Sequence, residues 1–398
     1  MLEKHINQEL LMRLIREYRP AFLYIPQDCL LKAEECEIVW KTQGYLLCRR
    51  KEKLPPSLYG ELSLLLTTSG STGSPKLVRQ SGRNIDANTE SICKYLDIHE
   101  KERPVTTLPM NYTYGLSIIN SHVNVGAALL LTVRSMVEQP FWDFVKEKKA
   151  TSFGGVPYTY QVLKRIGFLR MDLPDLRTMT QAGGKLPMNL HKEFASYAEK
   201  TGKQFVVMYG QTEATARMGY LPAAKAVERC GSMGIAIPGG RFWLEDDKGE
   251  EIKEPDTQGE LVYEGENVAL GYACCPEDLK KEDEWKGILH TGDMAKRDQD
   301  GYYYITGRKK RFIKMFGNRV NLDEAERLLK EHFDGIDFAC VGTDDNLAIY
   351  TDHREESGEE LILEHLYQMT GINSRAVGIR RVDKIPKNQS GKTLYKEL

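Results

Sequence analysis

The chain opens on an amphipathic stretch, Ile6–Tyr18, whose apolar residues recur at helical spacing and predict a first helix. Short apolar runs at Ala21–Ile25, Cys36–Trp40 and Tyr45–Cys48 read as strands, with Gly44 marking a turn before the last. Leu62–Leu66 is a compact apolar run leading straight into a glycine- and serine-rich loop. The expected arrangement there is a strand feeding a loop feeding a helix, the usual phosphate-binding geometry. From there to about residue 300, strand-like runs (Ala127–Thr132, Ser152–Val156, Gln204–Met208) alternate with amphipathic stretches such as Met188–Lys200. That alternation predicts an α/β fold with parallel-rich sheets.

The turn-rich segment Gly231–Gly240 introduces Arg241–Leu244 and Glu260–Glu264, which suggest a β-rich subdomain. After the aromatic strand Tyr302–Ile305 a boundary falls at Gly307–Lys310, followed by strand, helix (Leu322–His332) and strand (Phe338–Val341). The expected organisation is a large N-terminal domain over residues 1–307 and a small α+β C-terminal domain over 308–398.

Composition narrows the function classes. With 41% hydrophobic and 28% charged residues among 398, the chain is ordinary for a soluble globular protein. A net charge of −2 gives no electrostatic reason to expect nucleic acid as a partner. The N-terminus lacks the apolar stretch of a signal peptide, and no run approaches a membrane span. The longest apolar candidate, around Val123–Val133, is broken by Asn124 and Gly126 and reads as a buried core element. Eight scattered cysteines and eight histidines form no zinc spacing, so free thiols in a reducing cytoplasm are expected.

Four motifs carry chemistry. In Thr67–Lys76, the hydroxyls of Thr68, Ser69, Ser71 and Thr72, the backbone of Gly70 and Gly73 and the charge of Lys76 offer many short donors for a polyphosphate. No hydroxyl follows the lysine, so the P-loop pattern does not apply. A solvated linker is the alternative, but linkers seldom sit directly behind a buried strand. Tyr209-Gly210-Gln211-Thr212-Glu213 follows the run Gln204–Met208 and has the parts to stack a base, approach a phosphate and hold Mg²⁺. Taken alone it is compatible with any loop. Thr291-Gly292-Asp293 offers an acid for a ribose diol, or an ordinary turn. The terminal Pro386–Lys392 puts a lysine on a glycine-containing segment, which alone reads as a frayed end.

Their order and spacing resemble the adenylate-forming superfamily of acyl- and aryl-CoA synthetases, peptide-synthetase adenylation domains and firefly luciferase. The resemblance runs from about Leu62 to Lys396 and includes the Gly183–Gly184 segment, GSMGIAIPGG, GELVYEGENVALGY and Tyr302–Val320. It implies ATP-dependent activation of a small carboxylic acid as acyl-AMP with release of pyrophosphate, then transfer to a thiol of CoA or of an acyl carrier protein's phosphopantetheine; the alternatives are transfer to a non-thiol acceptor or a nucleotide-binding relative without catalysis. By position, Thr68–Lys76 would hold the β- and γ-phosphates, and Gly183, Gly184 and Tyr209 the adenine. Gly210 and Gln211 belong to the same nucleotide-binding motif. Thr212 would contact phosphate, Glu213 would bind Mg²⁺, and Asp293 the ribose.

Arg308 resembles the family arginine near ribose and phosphates. Lys392 resembles the lysine bridging the attacking carboxylate and the α-phosphate. Lys310 occupies the hinge position, and Gly317 the loop offered to the thiol. Tyr112, Tyr114, Gly154, Gly155 and Val156 would line the acyl pocket, although the tyrosines are equally compatible with core packing. Where many relatives carry histidine, Tyr112 stands instead. No aspartate sits nearby to hold an α-ammonium, which argues against an α-amino acid. The phosphate loop comes early, so a reduced N-terminal subdomain is expected.

Overall fold

The computed structural model describes residues 1–2, 6, 8–29, 36–50, 58–67, 77–315, 318–343, 345–353, 358–370, 376–387 and 391–398. The first helix, Gln8–Tyr18, buries Leu14, Ile15 and Tyr18, spaced so that they share one face. A three-stranded antiparallel sheet follows, with Tyr45–Arg50 between Phe22–Pro26 and Cys36–Thr42. Gly44, at φ +86°, makes the turn.

The centre of the molecule is a six-stranded sheet. Pro104–Val105, Ser152–Gly155, Thr178–Gln181 and Gln204–Tyr209 run parallel in sequence order, and Gly219–Tyr220 and Ile235–Ala236 add antiparallel at one edge. Helices Pro157–Arg165 and Met188–Thr201 connect the parallel strands. Their inner faces meet the sheet through Phe153, Tyr160, Phe168, Phe194 and Phe205, which form one aromatic core. Each such ring taken fully out of water contributes about 1.5–3 kcal/mol. The fold is therefore α/β with a parallel-rich sheet, as the alternation predicts. A four-stranded antiparallel sheet, Gly240–Glu245, Gln258–Gly265, Ile288–Arg297 and Tyr303–Arg308, supplies the β-rich part.

Residues beyond Lys309 build their own sheet and core. A hairpin (Phe312–Met315 with Asn318–Asn321) leads into helix Leu322–His332. Asn321 caps that helix, accepting the amides of Asp323 and Glu324, and two acids in its first turn favour its positive end. Strands Phe338–Thr343, Asn346–Thr351 and Val377–Arg381 form a second, three-stranded sheet separate from that hairpin.

Two expectations fail. Leu62–Thr67 is not followed by a helix: after the loop the chain returns antiparallel as the strand Leu77–Ser81, and the helix Gly82–Leu96 begins only afterwards. All of Leu77–Ser81 is buried, including Arg79, Gln80 and Ser81, so polar residues here hide a core strand. The Arg79 guanidinium donates to the carbonyls of Leu270, Tyr272, Lys281 and Glu282 and to Glu284 Oε2 at 2.6 Å, which explains how a cation is buried there.

The second failure is Val123–Val133. Ala127–Thr132 forms no extended strand; Leu130 makes one bridge with Val105, while Val123, Leu131 and Val133 are exposed. Among the described residues no element covers this flank.

Candidate active site

At the C-terminal ends of the parallel strands, the adjoining antiparallel sheet brings a tight polar cluster together. Tyr209 ends its strand and donates its hydroxyl to Asp293 Oδ2 at 2.5 Å. Gln211 Nε2 donates to the same oxygen at 2.9 Å and to the Thr291 carbonyl. Arg308 lies directly opposite Asp293 in the strand register and pairs with Oδ1 at 2.6 Å. Thr291-Gly292-Asp293 is thus part of a strand and not a free turn. Burial pushes the Asp293 carboxyl up, against the pull of Arg308, Tyr209 and Gln211. Partial burial lowers Arg308, but Asp293, Tyr209, Asp323 and Glu213 more than offset it and hold it above the ordinary arginine value.

The segment after Tyr209 is held in an unusual shape. A Cβ on Gly210 would lie 1.8 Å from the Ala216 carbonyl oxygen, so only glycine lets the two backbone stretches meet. Thr215 sits at φ +65°, ψ −39°, and the Ala216 amide donates to the Ala214 carbonyl at 2.7 Å, a strained γ-turn. Its surroundings fix it. Thr215 Oγ1 donates to the Asn267 carbonyl, Thr113 donates to the Thr215 carbonyl, and Asn267 Nδ2 donates to the carbonyls of Ala214 and Arg217. Gln80 Nε2 reaches the Thr212 carbonyl, and Tyr272 donates its hydroxyl to Glu213 Oε1 at 2.8 Å. Asn267, Tyr272, Gln80 and Thr215 escaped the sequence reading. Asn267 and Tyr272 lie in the GENVALGY run, whose density of glycine and polar residues after a strand is the signal that could have found them.

Lys392 arrives from the other end of the chain. Pro386 accepts the Leu394 amide and Lys387 bridges to Thr393, so the described ends of this segment are tied to each other and not frayed. Gly391, at φ +79°, packs beside Tyr158. Burial and the nearby Arg308 lower the Lys392 ammonium below its ordinary value, while Asp293 and Glu213 act the other way. Lys392 thus shares one electrostatic neighbourhood with Arg308, Asp293 and Glu213. Lys310 is exposed in the turn Lys309–Arg311. Its neighbours anchor that turn: the Arg308 amide and the Arg311 guanidinium donate to Asp323, and Lys309 pairs with Glu260.

The residues expected to line the acyl pocket also meet. Tyr112 and Tyr114 contact edge to face at 6.2 Å. A Cβ on Gly183 (φ +86°) would lie 2.3 Å from the Tyr112 hydroxyl, and one on Gly154 would strike Tyr114 and Ile118. Gly184 faces Pro157, Gly155 faces Thr159 and Tyr160, and Val156 lies beside Gly183. Burial raises the Tyr112 hydroxyl to about 12, so it stays a neutral donor. Of the expected site residues, Thr68, Ser69, Gly70, Ser71, Thr72, Gly73, Lys76 and Gly317 lie outside the described residues. Of the strands on either side of residues 68–76, Leu77–Ser81 is buried throughout and Leu62–Thr67 buries Leu66 alone. For Mg²⁺ the donor chemistry fits: Glu213 presents a carboxylate oriented by Tyr272, and Mg²⁺ commonly takes one or two carboxylates alongside substrate phosphates.

Such a cluster at the strand ends of a parallel sheet marks an α/β fold of nucleotide-binding type. The chain belongs to the AMP-binding enzyme family, whose model matches residues 13–273. It is 30% identical over 305 residues to an oxalate–CoA ligase of Arabidopsis thaliana, covering 75% of this chain and 56% of that protein. It is 28% identical over 355 residues to a sulfoacetate–CoA ligase of Cupriavidus necator, covering 85% and 67%. It is also 29% identical over 278 residues to an L-proline–carrier protein ligase of Pseudomonas fluorescens, covering 68% and 54%. The chain therefore spans little more than half to two thirds of the length of these relatives. Among solved structures, o-succinylbenzoate coenzyme A synthetase from Bacillus subtilis with AMP superposes at a TM-score of 0.71. That match has 23% identity and covers 86% of this chain and 70% of that one, which establishes a shared fold. No described helix is long and apolar enough to cross a membrane.

Proposed function

We propose that the chain is an ATP-dependent carboxylic-acid ligase that forms an acyl-adenylate with release of pyrophosphate and then passes the acyl group to a thiol. The observation that carries this reading is the cluster of Tyr209, Gln211 and Arg308 on Asp293, with Glu213 held by Tyr272 on the same loop and Lys392, from the last residues of the chain, within their electrostatic reach. The reacting carboxylate and the α-phosphate are both anions, and a cation between them offsets a repulsion that grows as water is excluded.

Tyr209, Gly183 and Gly184 receive the adenine. Asp293 accepts the ribose hydroxyls, exchanging the Tyr209 and Gln211 hydrogen bonds it now holds for those of the sugar. Arg308 and Thr212 meet phosphate oxygens, and Thr68–Lys76 wrap the β- and γ-phosphates. Mg²⁺, held by Glu213, would neutralise phosphate charge. The related CoA ligases and the related carrier-protein ligase support a thiol acceptor, either CoA or phosphopantetheine.

The residues beyond Lys309, with their own core, act in this reading as a small domain turning about Lys310. One orientation delivers Lys392, and the other offers the loop at Gly317 to the thiol. Acid-dependent exchange of labelled pyrophosphate into ATP tests the first step, and thioester formation on adding CoA or a phosphopantetheinylated carrier tests the second. Absence of exchange with every acid of a broad panel, while ATP still binds, would overturn the reading.

A further inference from the structure

Arg217 lies two residues beyond the γ-turn and is 2% exposed. Among the described residues its guanidinium meets no carboxylate. Nε donates to Ser117 Oγ at 3.2 Å, one terminal nitrogen reaches the Tyr95 hydroxyl and the Met208 sulfur, and the plane lies 5.1 Å from the Tyr114 ring centre. The surroundings are an apolar cluster of Tyr114, Ile118, Ala182, Val206 and Met208. Arg79, the other deeply buried arginine beside this sheet, shows the ordinary solution, a carboxylate plus a ring of carbonyls. Removing a cation from water among neutral partners alone is costly. An anion arriving at the site would relieve that cost.

Position gives the anion its identity. Tyr112 lies against Gly183, on the nucleotide side, and its ring meets Tyr114 edge to face; the Tyr114 ring in turn faces Arg217. An acid that reaches from the Gly183 side past these rings would end at Arg217. The tyrosine rings fill the interval, so the acid must be short and must displace them. Hydroxyls of Tyr95, Tyr114, Thr180 and Ser117 line the same interval, and the last three already bond among themselves or to backbone.

We propose, resting on the ligase reading, that the acyl pocket selects a short acid with a second anionic group, a dicarboxylate or its sulfonate equivalent, and that Arg217 binds that distal group. A guanidinium offers parallel donors suited to a planar carboxylate, and a site built to pair a buried charge rejects the analogue lacking it.

The test is pyrophosphate exchange with size-matched series, malonate to adipate against propionate to hexanoate, with 3-sulfopropionate as the sulfonate arm. The expected result is a dianionic acid exceeding its matched monocarboxylate by about 100-fold in kcat/KM. In Arg217→Gln that ratio falls towards one, chiefly through KM for the dianion, and Arg217→Lys keeps part of it. Monocarboxylates equal to or better than dianions in the unaltered chain overturn the proposal while leaving the ligase reading intact, as does an unchanged ratio in Arg217→Gln. Exchange with no acid at all overturns both. If Arg217→Gln does not fold by thermal melting, the unaltered chain's two series alone decide.

Discussion

The two ends of the site handle charge in opposite ways. At the proposed nucleotide end, Asp293 is buried but saturated: Arg308, Tyr209 and Gln211 all bond it. At the proposed acyl end, Arg217 is as deeply buried, and among the described residues its guanidinium meets only hydroxyls, a sulfur and a ring. In the proposed reading the first end is pre-organised, with partners that a ligand's hydroxyls would replace, whereas the second keeps an unbalanced charge, so that its selectivity would rest on what arrives. The difference teaches that burial alone says little about a charged side chain; the partner list decides.

The largest effect that would sharpen this contrast is at Lys392, which lies within electrostatic reach of Asp293 and Arg308. Lys392→Ala should lower the rate of pyrophosphate exchange by about 10²–10³-fold, with ATP binding measured by calorimetry little changed. Exchange near the unaltered rate would remove Lys392 from the chemistry. Next is the loop that spans both ends. Gly210→Ala forces a methyl onto the Ala216 carbonyl and should destabilise the fold by about 3 kcal/mol, read as a lower melting midpoint in denaturant. An unaltered midpoint would mean that the two ends are not tied through this loop.

A smaller change tests the saturated end alone. Asp293→Asn leaves Arg308 with a neutral neighbour and should raise the KM for ATP by about 10-fold while sparing the preference among acids. Loss of that preference would show that the two ends do not act separately. The smallest effect is in pH. Lys392 is charged below its own pKa, and burial and Arg308 place that pKa under the ordinary lysine value. Adenylation should therefore decline at a lower alkaline pH than an unperturbed lysine would give, a limb that a pH–rate profile reads directly and that Lys392→Arg should displace upwards.

Much of this was legible in the sequence because the signals were local. Leu62–Leu66, Gln204–Met208 and Leu322–His332 carry their periodicity in a few residues, and each forms within a residue or two of its expected bounds. Tyr209, Asp293, Arg308 and Lys392 could be picked by motif, and the fold brings them together. What stayed hidden depends on distant partners. Leu77–Ser81 does not look like a core strand, because Arg79 is made acceptable there only by carbonyls some two hundred residues away. The γ-turn at Thr215 needs Asn267 and Thr113, neither adjacent in sequence. Val123–Val133 misled in the other direction. Its hydrophobicity is real, but hydrophobicity measures a tendency to be covered and does not say by what.

Arg79 has one more consequence. It stands on the strand that follows residues 68–76 and grips the backbone at Leu270 and Tyr272, and Tyr272 in turn holds Glu213. Two sets of hydrogen bonds thus tie that strand to the Glu213 carboxylate. The two would loosen as one cooperative unit, and amide-hydrogen exchange at Leu77–Ser81 and Gly271–Ala273 would slow together when nucleotide is added.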